Sequence, residues 1–143
     1  MYDDILVPTD GSPGTVDALE HAVTIATDQD ARIHALYVVD RRVNLAADDD
    51  AKAEIRRSFE EAGERALDDV RVRVEEAGVD LTAEHLEGIP HKAIADYAER
   101  ESVDLVVMGT HGQTGPERVA SLGSTTERVV KNADVPVLVV DIE

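Results

Sequence analysis

The feature that most constrains the fold is a regular alternation between short apolar runs and segments with helical periodicity. Strand-like apolar runs occupy residues 5–9, 32–39, 81–86, 104–108 and 135–142. Between them, apolar side chains recur with a period of about 3.6 residues in four segments, residues 12–27, 52–77, 90–101 and 124–133. Strands that alternate with helices are typical of a parallel sheet covered by helices. We therefore predict a doubly wound α/β fold with five strands and four helices.

Connection rules narrow the order of the predicted strands. Right-handed crossovers leave few arrangements, and among them the order 3-2-1-4-5, with helices on both faces, puts the first strand at the centre. Ligands of such sheets bind where the order reverses, here between the carboxyl ends of strands one and four. At those ends the chain reads PTDGS (residues 8–12) and MGTHG (residues 108–112), so we expect a binding crevice there. Residues 41–51, RRVNLAADDDA, are predicted to form a loop at the same edge.

The length, the cysteine content and the amino terminus limit the possible domain organisation and cellular location of the protein. A chain of 143 residues is expected to form one domain, residues 1–143. It has no cysteine, which excludes thiol catalysis, thiolate metal sites and disulfides. The segment MYDDILVPTD has acidic residues where a signal peptide has basic ones, and no apolar run approaches the length of a membrane span. These features predict a cytoplasmic protein.

The charge balance is strongly acidic. Asp and Glu number 31 against 14 Lys and Arg, for a formal net charge of −17, and such a surface repels nucleic acids and anionic membranes. Because 43% of the residues are apolar and regularly spaced, the acidity is that of a folded domain and not of a disordered tail. Acidic residues occur along the whole chain, and Arg far exceeds Lys. We interpret this as adaptation to high salt in a halophilic organism; an ordinary acidic cytosolic protein is the alternative.

The stretch MGTHGQTGPERVASLGSTTERVV has the composition of a phosphate cradle. Gly109 and Gly112 allow the backbone to approach a ligand without a Cβ atom in the way. Gly123 and Ser124 precede a predicted helix, whose first amides and dipole attract anions. The alternative is a simple turn followed by a capping box between Ser124 and Glu127. The residue spacing leaves both interpretations open.

No motif in the chain predicts catalysis or a metal site. There is no Gly-Lys-Ser or Gly-Lys-Thr of a Walker A loop, and the first strand leads into DGSPG where a dinucleotide fingerprint has GxGxxG. No serine lies in a GxSxG elbow, and the histidines lack metal-ligand spacing. Asp10 follows the first strand and is placed to accept hydrogen bonds from a ribose or an adenine amino group. Its alternative role is that of a turn or N-cap residue.

Six segments of the chain carry a family pattern. They are ILVPTDGS, ALYVVD, GIPHKAI, DLVVMGTHGQTG, LGSTTERVV and PVLVV. In this combination the chain resembles the universal stress protein family in its ATP-binding branch, and the resemblance covers essentially the whole sequence. It implies the adenine nucleotide alpha hydrolase-like form of the predicted fold, binding of ATP, and a homodimer. We expect the homodimer to form through the last strand, residues 135–142, because VPVLVVDI is too apolar for a bare edge.

The resemblance also implies a set of ATP-binding residues in three groups. The adenine and ribose side corresponds to Pro8, Thr9, Asp10 and Val38. The first phosphate turn corresponds to Met108, Gly109 and Gly112, and the second to Gly123, Ser124, Thr125 and Thr126. Mg²⁺ is expected to accompany the nucleotide through its phosphates, with no protein side chain as a metal ligand.

Two departures from the family pattern lie in the phosphate segment. The family has the spacing G-x2-G-x9-G, whereas ten residues, QTGPERVASL, separate Gly112 from Gly123 here. A cation often follows the second glycine in the family, and here that residue is Gln113. The extra residue either bulges from the loop or shifts the amides at Gly123.

The implied function is that of an ATP-binding regulatory domain, a nucleotide-dependent sensor or switch in the stress response. We expect nucleotide occupancy to change the choice of an unidentified protein partner. Little catalysis is expected, because a phosphate-transfer lysine is missing and hydrolysis would rest on metal and backbone amides. Two alternatives stay open: a slow ATP-hydrolysing or adenylate-forming enzyme, and a dimeric interaction scaffold with no bound nucleotide.

The acidic surface predicts that stability depends on salt. Lowering KCl from about 1 M to about 0.1 M lengthens the Debye length from about 3 Å to about 10 Å, so repulsion among the excess carboxylates increases. We expect the melting temperature to fall over this range when it is followed by circular dichroism at fixed pH. The same melting temperature at both salt concentrations would contradict the halophilic interpretation.

Overall fold

The computed structural model describes residues 1–11, 13–40, 49–110 and 124–141, within which strands and helices alternate along the chain. None of the described helices is both long enough and apolar enough to span a membrane. The elements, in chain order, are β1 (Asp4–Thr9), α1 (Pro13–Gln29), β2 (Arg32–Asp40), α2 (Asp49–Glu76), β3 (Leu81–Gly88), α3 (Pro90–Arg100), β4 (Leu105–Gly109), α4 (Ser124–Asn132) and β5 (Val137–Val140).

The strands form one parallel sheet in the order β3-β2-β1-β4-β5, which confirms the predicted fold class and strand order. β1 lies at the centre of this sheet. Its residue Thr9 pairs with Tyr37 of β2, and Leu6 pairs with Val106 of β4. The carboxyl end of β1 therefore lies beside the carboxyl ends of β2 and β4.

Alternate residues of β1 face two separate apolar cores. Ile5 and Val7 pack with α1 and α2, whereas Leu6 packs with α3 and α4. All three side chains are fully buried, and burial of one such side chain stabilises a fold by about 1.5–3 kcal/mol relative to exposure. The helices thus lie in pairs on opposite faces of the sheet, as a doubly wound fold requires.

Predicted and observed elements differ most at the start of α2 and in the length of β5. α2 begins at Asp49, so residues 49–51, predicted as the end of a loop, are helical. An acidic residue such as Asp50 stabilises the first turn of a helix through the helix dipole, an effect that apolar periodicity does not register. At the other end of the chain β5 spans only Val137–Val140. It begins two residues later than predicted, because Pro136 has no N–H group to donate, and it also ends two residues earlier. The rest of the predicted loop, residues 41–48, lies outside the described residues.

α2 approaches the sheet closely at Gly63. A Cβ atom on Gly63 would lie 2.8 Å from Tyr37 Cδ1 and 3.0 Å from His85 Cε1. The Tyr37 and His85 rings pack edge to face, with their centroids 5.2 Å apart. The absence of a side chain at Gly63 lets α2 rest on this ring pair, which fixes the position of Tyr37 near the carboxyl edge of the sheet.

A buried hydrogen-bond network joins β1, β2 and α3. His34 Nδ1 lies 2.8 Å from the Tyr97 hydroxyl, and His34 Nε2 lies 2.8 Å from Asp4 Oδ1. Every group is satisfied when the Tyr97 hydroxyl donates to Nδ1 and the Nε2–H group donates to the Asp4 carboxylate. The Arg100 guanidinium covers the Tyr97 ring at 5.1 Å from its centroid and donates to Glu84 at 2.8 Å. This network holds α3 onto the sheet.

The raised pKa of Tyr97 predicts that the protein loses stability at alkaline pH. Burial first, and the Glu84 and Glu101 carboxylates next, raise the pKa of Tyr97 from 10.0 to about 12. Because the unfolded chain releases this proton near pH 10, the native state binds more protons between these values, and stability falls as pH rises from about 10 to about 12. We expect Tyr97→Phe to flatten that part of the curve of unfolding free energy against pH. Tyr2→Phe is the matched control.

Ultraviolet titration of the phenolate checks the assignment directly. The step that is missing from Tyr97→Phe should be centred at about 12 in the wild-type protein. Loss of a step near pH 10 instead would contradict the burial argument.

Candidate functional site

The turn after β1 is held by its own side chains. The Gly11 amide donates to Thr9 Oγ1 at 3.2 Å, and the Thr15 hydroxyl donates to Asp10 Oδ1 at 3.3 Å. Gly11 has a φ of +80°, which would strain any other residue. Asp10 lies three residues before Pro13, the first residue of α1, so it does not occupy the N-cap position. The Asp10 carboxylate is instead fixed against the first turns of α1.

The end of β4 is tied to both α4 and β5. The Thr126 hydroxyl donates to the Gly109 carbonyl at 2.9 Å, and the Thr110 amide donates to the Val140 carbonyl at 3.0 Å. Thr126 is buried, so its hydroxyl serves this internal contact, and the residue could meet a phosphate only through its backbone. Gly109 of the first predicted phosphate turn and Thr126 of the second are therefore joined directly.

Three predicted apolar residues lie at the carboxyl ends of neighbouring strands. Val38 of β2 and Met108 of β4 pack in the core that contains Leu6. Pro8, two residues after Leu6 in β1, faces the same side of the sheet because side chains alternate along a strand. Met108 is buried, whereas Pro8 and Val38 are half-buried. The described residues of the adenine side and of the first phosphate turn thus share one edge of the sheet.

The first turn of α4 differs from the capping box that the sequence offered as an alternative to a phosphate cradle. Ser124 is exposed and Thr125 is half-buried. The Glu127 carboxylate accepts a hydrogen bond from Lys131, one turn further on, at 2.8 Å. This hydrogen bond, and then the Lys131 charge, lower the pKa of Glu127. In the described part of the chain Glu127 therefore contacts Lys131 and not the amide at Ser124.

Some predicted residues fall outside the described ranges. They are Gly112 and Gly123 of the two phosphate turns, together with Gln113. Within residues 1–11, 13–40, 49–110 and 124–141, no group of three His, Cys, Asp or Glu side chains could hold a metal ion.

A cavity of about 600 Å³ opens between α1 and α2, next to the predicted site. It shares Thr9 and Asp10 with that site, and the Tyr37 and Phe59 rings contribute to its walls. Sequence reasoning missed this cavity, because periodicity identified Phe59 only as a core residue of a helix. The available signal was composition: the chain has one Phe and three Tyr, and two of these four side chains meet here.

Together these features define a doubly wound α/β protein whose candidate site lies at the point where the strand order reverses. Comparison with known proteins identifies its family. The universal stress protein family model matches residues 1–141, and the chain belongs to this family.

Individual relatives match over nearly the whole chain. Universal stress protein MJ0531 of Methanocaldococcus jannaschii is 46% identical over 142 residues, which cover 98% of this chain and 82% of that protein. The solved structure of MJ0577 from the same archaeon has a TM-score of 0.89 at 33% identity and covers 100% of this chain and 98% of its own. Universal stress protein UspA from Lactobacillus plantarum has a TM-score of 0.84 at 35% identity, with 97% of each chain covered. These similarities confirm the family resemblance and the fold.

Proposed function

We propose that this chain is an ATP-binding regulatory domain whose nucleotide occupancy acts as a switch in the stress response. One observation carries the proposal: the Asp10 turn, the end of β4 at Gly109 and the first turn of α4 converge at one edge of the sheet. A carboxylate, a residue without Cβ and a helix N-terminus suit a nucleoside triphosphate at such a switch point. Residues 1–143 would act as one cytoplasmic domain.

The described residues fit the adenosine part of the nucleotide. Asp10 is a carboxylate, which accepts hydrogen bonds from ribose hydroxyls or from the adenine amino group. The half-buried Pro8 and Val38 offer an apolar flank to the base. Thr9 would take part through its backbone, because its side chain is buried and accepts from the Gly11 amide.

The phosphates would meet the first turn of α4. Amides of Ser124, Thr125 and Thr126 lie at the positive end of the α4 dipole, and the proposal includes Gly112 and Gly123 from the family pattern. Mg²⁺ would be held through the phosphates, since the described side chains offer no three-ligand cluster. When bound, the ion would offset the repulsion between the phosphates and a protein of net charge −17.

Two further solved structures of this fold contain adenine nucleotides. One is a universal stress protein in complex with cAMP, and the other is an Arabidopsis thaliana family protein with AMP bound. Their identities to this chain are 23% and 21%, so they bear on the fold and not on individual contacts. The residue-level argument therefore rests on the groups at the carboxyl edge.

We further propose that the chain forms a homodimer through β5. The carbonyl of Pro136, just before β5, accepts from the Val106 amide of β4, and the carbonyl of Val140 accepts from the Thr110 amide, just after β4. Because backbone groups of successive residues point to opposite sides of a strand, those of Val137 and Val139 point to the outer edge. A second copy of β5 would pair with these groups and cover the edge.

A proline at Val139 tests the proposed dimer. Val139→Pro removes an outward N–H group and leaves the hydrogen bonds to β4 intact, so we expect monomers in sedimentation velocity. Val139→Thr keeps the N–H group and should remain dimeric. A dimeric Val139→Pro protein would put the interface elsewhere.

Titration calorimetry with ATP, in molar KCl with Mg²⁺, tests the proposed site. Asp10→Asn should weaken binding about tenfold, because hydrogen bonds to a charged group contribute about 1.5–3 kcal/mol. Thr126→Val should weaken it about fivefold, because the Gly109 carbonyl loses a donor worth about 1 kcal/mol and the turn loosens. Thr126→Ser keeps the hydroxyl and should retain the affinity. Thr27→Val, at an exposed position of α1, is the control for the added methyl group.

Three outcomes would count against this proposal. No heat from wild-type protein with ATP would favour the nucleotide-free scaffold. Equal affinity in wild type and Asp10→Asn would remove Asp10 from the site. Steady release of ADP during incubation would favour the hydrolytic enzyme over the switch.

A further inference from the structure

A second space for a ligand lies on the face of the sheet opposite Val38 and Met108. Its volume of about 600 Å³ falls in the range of small-molecule pockets. Tyr37, one of its walls, belongs to the core formed with α1 and α2, whereas Val38 and Met108 pack against the core formed with α3 and α4. The cavity and the proposed nucleotide site share the turn at Thr9 and Asp10. The two sites therefore lie on opposite faces of the sheet and meet at Thr9 and Asp10.

Apolar and aromatic side chains form most of the cavity walls. Leu19 comes from α1, Tyr37 from β2, and Phe59 and Val70 from α2. With one Phe, three Tyr and no Trp in the chain, half of all aromatic side chains line this cavity. Aromatic rings pack against flat apolar groups and attract cations through their faces.

The charged groups of the wall are two carboxylates and one guanidinium. They belong to Asp10, Asp69 and Arg65. Asp69 pairs with Arg73 at 3.3 Å, and among the described residues no salt bridge joins Arg65 to either carboxylate. Arg73 offsets the Asp69 charge, so Asp10 and Arg65 are the two opposed charges that remain in the lining.

The Asp10 carboxylate acts on the Tyr37 hydroxyl in the cavity wall. Burial is the main cause that raises the pKa of Tyr37; the Asp10 charge raises it further, and the Arg65 charge lowers it. The net charge of −17 on the whole chain has the same sign as Asp10.

We propose that this cavity binds a small organic cation with an apolar body, an aromatic or alkyl amine. The ammonium group would lie toward the charge of Asp10, whose carboxylate also accepts from Thr15. The body of the amine would contact the rings of Tyr37 and Phe59. An anion of the same shape would face the Asp10 carboxylate, and a neutral molecule would gain only the apolar contact.

Three matched probes test the charge of the ligand: 2-phenylethylammonium, 2-phenylethanol and 3-phenylpropionate. They share a phenyl ring and a short chain and differ in the charge at its end. Titrations followed by two-dimensional NMR, without nucleotide and at one KCl concentration, are independent of the proposed ATP site. We expect the amine to bind most tightly and the carboxylate at least about tenfold more weakly, with shifts at the Tyr37 and Phe59 ring protons.

Cavity variants test the location. Ala62 lines the cavity, so Ala62→Trp should fill it and remove amine binding. Ala53→Trp, at an exposed position of the same helix, is the control and should bind as wild type does. Phe59→Leu makes a smaller change and should weaken the amine several-fold, which keeps the test open if Ala62→Trp fails to fold by circular dichroism.

Three results would overturn the proposal. One is a lack of amine-induced shifts in the wild-type protein. A second is equal affinity for the amine and the carboxylate. The third is wild-type amine affinity in a folded Ala62→Trp protein or, if that protein does not fold, in Phe59→Leu.

Discussion

The burial of β1 between β2 and β4 is the constraint on which the rest of the structure depends. Ile5, Leu6 and Val7 are fully buried, with successive side chains packed in opposite cores. A strand buried on both faces and paired on both edges can present chemistry only at its ends. β1 is followed by α1 on one face of the sheet, whereas its neighbour β4 is followed by α4 on the other face. The two connections therefore separate at the carboxyl ends of these strands. The candidate site lies in the gap that this divergence creates.

The turn beyond β1 shows how that constraint is transmitted to the site. Thr9 is still part of the pairing with Tyr37, whereas Gly11 has already left the strand with a positive φ. Asp10 lies between them, held by the Thr15 hydroxyl. At the end of β4, the Thr126 hydroxyl donates to the Gly109 carbonyl and holds that turn in the same way. Each half of the crevice is thus braced by one threonine from the following helix.

Much of this architecture could be predicted from the sequence because it follows from local patterns. Apolar runs and helical periodicity identified all five strands and four helices of the described structure, and crossover rules supplied the strand order. The positions of Asp10, Val38 and Gly109 at one edge followed from that order. The start of α2 at Asp49 could not be predicted in this way, because a polar first turn has no apolar periodicity.

The features that escaped prediction depend on contacts between distant segments. The hydrogen bond from the buried Thr126 hydroxyl to the carbonyl of Gly109, 17 residues earlier, was not predicted. The alternative interpretation, a capping box, paired Glu127 with Ser124, whereas the Glu127 carboxylate accepts from Lys131. The cavity between α1 and α2 requires Phe59 to face Tyr37 and Leu19 across two other elements. Periodicity reports that such residues are buried, and it does not report what they surround.

Asp10 links the two proposed ligands through opposite electrostatic effects. Its charge repels the phosphates of a nucleotide and attracts an ammonium group in the adjacent cavity, so a bound amine would offset part of the repulsion that ATP meets. At short range the two ligands would compete, because Oδ1 already accepts from Thr15 and a ribose hydroxyl would need the same carboxylate. Any coupling between the sites must be reciprocal, so the factor by which the amine changes ATP affinity equals the factor by which ATP changes amine affinity. High salt screens the long-range attraction far more than the short-range competition. In an acidic protein with both sites, each ligand would therefore weaken the binding of the other more in molar salt than in dilute buffer.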